Sequence, residues 1–72
     1  MKSFEVEAEP QVLHEIERDH VNVDRLVAEA ESYLADPDVD DVALARMFIE
    51  QGHSEDLSYW LVRLANVRHA PR

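Results

Sequence analysis

The sequence predicts an all-α fold, two or three helices forming a helical hairpin that dimerises into a four-helix or larger bundle. Three observations lead there. Leu13, Ile16, Val23, Val27, Ala30 and Leu34 recur at alternating spacings of three and four, with His20 in the remaining place, the pattern of a helix whose apolar seam needs a partner. A second apolar stripe, Leu57, Trp60, Leu61 and Leu64, follows near the C-terminus. Finally, the chain has 72 residues and no cysteine, so a small core without disulfides points to metal or a second subunit as the added stabiliser.

Residues 1–9 read as an extended arm, because Phe4, Val6 and Ala8 alternate with Glu5, Glu7 and Glu9 and a lone strand of that period has no neighbour to pair with. Residues 10–69 form the single helical domain, and 70–72 a C-terminal tail. Pro10 suits a first helical turn, and the stripe from Leu13 to Leu34 then predicts one helix of about 25 residues, near 38 Å long at the usual rise. Val21, Asn22 and Val23 weaken its middle slightly. Asp36-Pro37 ends it, since a residue before proline is pushed from helical angles. Asp38 is placed to cap the next helix, with Asp41 as the acid of a capping box. Beyond it two readings stay open. Gly52 closes a helix and Ser54 caps another, with Glu55 and Asp56 in its first turn and Arg68 in its last, or a single helix runs from Val39 to about Val67 and tolerates Gly52 at a cost of ~1 kcal/mol.

The formal net charge is −9, with all sixteen acids in residues 1–56. Residues 1–56 sum to −12 and residues 57–72 to +3. An acidic body disfavours a phosphate backbone, so nucleic acid is not an expected partner; it suits a basic protein partner, self-association with the basic end, or solubility. No apolar run approaches the ~20 residues of a membrane span. The N-terminus alternates acids with apolar residues where a secretory leader needs an apolar stretch. A soluble, cytoplasmic protein is therefore expected, without membrane contact.

Glycine-rich phosphate loops and a nucleophile elbow are missing, so no enzymatic activity is expected. The run Asp36-Pro37-Asp38-Val39-Asp40-Asp41 begins like a calcium loop but lacks its turn glycine and distal glutamate, and helix termination explains it better. His20 has Glu17 one turn before it and Asp24 one turn after, and Glu-x-x-His on an inward face is a spacing used by di-iron carboxylate bundles. On a continuous second helix, His53 and Asp56 would again offer a nitrogen and an oxygen on one face, a set that suits non-haem iron, manganese or zinc. The competing reading makes His20 a packed core histidine, His53 a loop residue and Asp56 a first-turn acid. Trp60 reads as a core anchor whose indole N–H needs an acceptor.

The stretch Val12-Leu13-His14-Glu15-Ile16-Glu17-Arg18-Asp19-His20-Val21-Asn22-Val23-Asp24-Arg25-Leu26-Val27 resembles the first helix of hemerythrin-like cation-binding domains, through its Asp-His-x-Asn segment and the leucine-containing turn after it. His53-Ser54-Glu55-Asp56 with Trp60 is similar to that family's second-helix pattern. The resemblance spans residues 12–64. It implies a four-helix bundle holding an oxygen-bridged pair of irons, with His20, His53 and Asp56 as metal ligands and non-haem iron as cofactor. Family members are about twice as long, so the resemblance is compatible with a homodimer that completes each half-site or with a decayed, metal-free relative. From a different class comes the alternative expectation of a metal-free acidic interaction protein, such as a phage- or plasmid-encoded inhibitor or anti-activator of a host protein.

Overall fold

The computed structural model describes residues 4–70, which fold into four helices: α1 Pro10–Arg18, α2 Val23–Leu34, α3 Asp41–Glu50 and α4 Glu55–His69. The single long helix expected over residues 10–34 is two. Its break lies at the histidine of the stripe. Asp19 ends α1, and His20 takes a left-handed φ of +52°, a region where histidine is enriched among non-glycine residues. The His20 N–H then donates to Glu17 O at 3.4 Å and the Val21 N–H to Ile16 O at 2.9 Å. Those two reversed bonds, with Ile16 and Val21 both half-buried, make a Schellman cap. Asn22 starts α2, its side-chain oxygen accepting the Arg25 N–H at 3.2 Å. Asn22 thus acts as a helix start where the continuous pattern implied a weak middle.

The break shifts the phase between the two helices. Val23, Val27 and Ala30 line the core as the stripe requires, but in α1 Val12 is the buried residue at 3% exposure while Leu13 is 40% exposed. His20 is exposed too, outside any apolar seam.

Between α2 and α3 the chain turns on Asp36, whose Oδ1 accepts the Asp38 N–H at 2.9 Å. Asp40, rather than Asp38, caps α3, with Oδ1 accepting the Ala43 N–H at 2.8 Å. At the far end of α3 the glycine-closure reading holds and the continuous helix does not. Gly52 has a φ of +104°, its N–H donates to Ile49 O at 3.0 Å, and the His53 N–H donates to Phe48 O at 3.2 Å. This is a second Schellman cap, completed by an edge contact between the Phe48 and His53 rings at 6.3 Å. Ser54 then caps α4, its Oγ accepting the Leu57 N–H at 3.1 Å.

The central element is α4. It packs against the other three helices and buries Leu57, Ser58, Trp60, Leu61, Val62, Leu64 and Ala65. Around it sit Val12 of α1, the Val23, Leu26, Val27 and Ala30 face of α2, and Leu44, Ala45 and Phe48 of α3. Residues 4–9 lie outside the helices and lay Phe4, Val6 and Ala8 on this core. Trp60 finds its acceptor there, its Nε1 donating to Val6 O at 3.1 Å, and Phe4 meets the indole edge-to-face at 5.0 Å. The described residues therefore supply four helices to one core, where two or three were expected. No helix among the described residues is long and apolar enough to cross a membrane.

Candidate functional site

Each of the two histidines singled out above belongs to a helix C-terminus. His20 is the left-handed residue after α1, and His53 follows Gly52 after α3. These two caps face one another across an open cavity of about 420 Å³, lined also by Asp19, Asn22, Arg25 and Gln51. The Arg18 guanidinium donates to both Asp19 carboxylate oxygens at 3.0 Å. That pairing holds the Asp19 carboxyl below its ordinary range, and positive charge on His53 and His20 adds to the effect. The cavity is thus mixed in character, with two imidazoles, two amides, a guanidinium and a carboxylate that is already engaged.

Asp56, the third expected ligand, stands elsewhere. It lies in the exposed first turn of α4, accepts the Gln11 Nε2 at 3.4 Å, and lines a smaller cavity of about 130 Å³ with Glu7, Glu9, Tyr59 and Arg63. The fold therefore brings His20 and His53 to one cavity and leaves Asp56 at another. Among the described residues, no group of three or more histidines and carboxylates is placed to hold a metal ion.

Charge is the broader feature of the surface. Of the sixteen carboxylates only Glu15 is buried, at 8% exposure. Arg68, near the end of α4, gathers two acids from distant segments, donating from Nε to Glu5 at 2.8 Å and from Nη1 to Asp24 at 3.2 Å. Hydrogen bonding to Glu5 raises its already high pKa, with Asp24 contributing as well. Part of the basic C-terminal segment thus packs on the acidic body of its own chain. Arg63, five residues earlier, makes no hydrogen bond or ion pair among the described residues.

Sequence reasoning passed over Glu15. Its Oε2 accepts the Ser54 N–H at 3.0 Å, so a side chain of α1 holds the residue that starts α4. Its position three residues after Val12, on the same helical face, was a signal for burial. Nothing local pointed to Ser54, 39 residues away. In comparisons with known proteins, no family model, no curated protein and no solved structure matches this chain.

Proposed function

We propose that the protein is an acidic interaction module that binds a basic face on a partner protein, without metal and without catalysis. One observation carries the reading: fifteen of sixteen carboxylates stand at or near the surface of a domain with net charge −9. A small rigid body with such a field attracts cationic surfaces and speeds their encounter. An inhibitor or anti-activator of a host protein, carried by a phage or plasmid, fits this physics, since a carboxylate surface can occupy a site made for nucleic-acid phosphate. The test is a four-site variant, Asp36→Asn, Asp38→Asn, Asp40→Asn and Asp41→Asn. Asparagine keeps the capping oxygen at position 40. Affinity for a partner identified by cross-linking in the source cells should fall at least ~10-fold in the variant and fall steeply with salt. Equal binding by parent and variant at all salt concentrations rejects the reading.

A second reading rests on the cavity shared by His20 and His53. It is a hemerythrin-like half-site for non-haem iron, in which a second chain would have to deliver the carboxylate, because Asp56 of the same chain lines a different cavity. Metal analysis of untagged protein grown with added iron separates the two. Iron near one equivalent per dimer, lost in His20→Asn, supports the half-site; parent protein that holds none supports the acidic module.

A further inference from the structure

The outward face of α4 sets apolar and oppositely charged residues in one line. At 3.6 residues per turn, Asp56, Tyr59, Arg63 and Val67 fall in one sector, opposite the buried Leu61 and Ala65. Tyr59 is 39% and Val67 49% exposed, so the stripe is partly apolar. Its charges are ordered, with an acid near the N-terminal end and the unmatched Arg63 seven residues on, about two turns or ~10.5 Å along the axis.

We propose that this face binds a second copy of itself, with the two α4 helices antiparallel about a two-fold axis beside Tyr59. In that register position 56 of one chain meets position 63 of the other, twice by symmetry, and the two Tyr59 side chains lie on either side of the axis. A parallel pairing would instead set Asp56 against Asp56 and Arg63 against Arg63, which like-charge repulsion disfavours. The cavity beside the stripe fits the same arrangement. Glu7, Glu9 and Asp56 line it together with Arg63, so a guanidinium arriving from a partner meets three carboxylates that share one cation among the described lining residues. This is a different surface from the stripe of Leu13 to Leu34, whose α2 part is already covered by α4. The inference also stands apart from the proposed function, because it needs no other protein.

A single pair of helices of this length buries less than the ~1,200 Å² of a stable interface, so the dimer is weak, with a dissociation constant on the order of 100 µM. Sedimentation of the full chain between about 10 µM and about 1 mM reads it directly. At ~0.15 M salt, where repulsion between two chains of net charge −9 is screened beyond contact distance, the parent should shift from monomer to dimer across this range. Arg63→Glu and Asp56→Lys should each stay monomeric with unchanged helical circular dichroism. Mixed in equal amounts, the two variants should associate, since Asp56 of one then meets Arg63 of the other and Glu at position 63 meets Lys at position 56. A parent that is monomeric at ~1 mM, or a mixture that fails to associate where the parent does, overturns the proposal.

Discussion

Glu15 is buried at 8% exposure and its carboxylate accepts the N–H of Ser54. In a capping box that N–H is taken by an acid three residues into the same helix. Here that position is Leu57, which is wholly buried and has no acceptor to offer, so α1 provides the acid from outside. Glu15→Ala leaves the donor without its partner and should destabilise the protein by about 1–3 kcal/mol, whereas Glu15→Gln, which keeps an acceptor, should cost less. Urea titrations of the two variants check the difference. The left-handed residue at position 20 gives a contrasting case. His20→Gly removes the steric cost of its φ of +52° but gives the unfolded chain more freedom, for a net change of about 0–1 kcal/mol in favour of folding, while His20→Leu should lose about 1 kcal/mol. Had His20 occupied an apolar seam, leucine would have been the stabilising choice, so the sign of His20→Leu tests its position in the fold. Asp19 offers a further check at this scale. Its carboxyl should titrate below 3.8, so what little stability its exposed pairing with Arg18 gives is present above that pH and lost as the pH falls through the lowered value.

At the scale of elements, the helix ends decide how much a sequence reveals. The α3–α4 junction was readable because Gly52 and Ser54 are the residues that a left-handed cap and an N-cap ordinarily use. The α1–α2 junction was not, because histidine stands in the glycine's place and the apolar spacing passes through it unbroken. A 3-4 rhythm reports which face is apolar, and two short helices in chance register satisfy it as well as one long helix does. The candidate site shared that fate: His20 and His53 are neighbours only through two caps that meet across the fold, and Asp56 left them once Gly52 turned the chain. The N-terminal segment is tied to α4 by Val6 O with Trp60, Phe4 with the same ring and Glu5 with Arg68. Phe4→Ala should therefore loosen the segment, shift Trp60 fluorescence to the red and cost about 1–2 kcal/mol, less than a fully buried phenylalanine because Phe4 is only partly covered. Fluorescence followed through a thermal melt measures both effects.

For the whole molecule, the opposing terms are a core drawn from all four helices and a surface that repels itself. The sixteen acids stand against seven lysines and arginines, and Arg68 offsets only Glu5 and Asp24 directly. Exposed pairs of this kind contribute ~0–1 kcal/mol each, so they do not cancel a net charge of −9 spread over a domain with a radius of gyration of 11.6 Å. Most of those charges lie within one or two Debye lengths of each other at ~0.01–0.1 M salt, where repulsion among them is still felt. Folding gathers them, and unfolding lets them separate. Added sodium chloride should therefore raise the melting temperature of dilute, monomeric protein, most steeply up to ~0.3 M, even though it weakens the Arg68 pairs. The opposite slope, a melting temperature that falls as salt is added at low micromolar protein, would mean that attractive pairs outweigh the repulsion. It would also remove the physical basis for an acidic surface held ready for a basic partner. Neutralising Asp36, Asp38, Asp40 and Asp41 should flatten the same slope, since fewer like charges remain to screen.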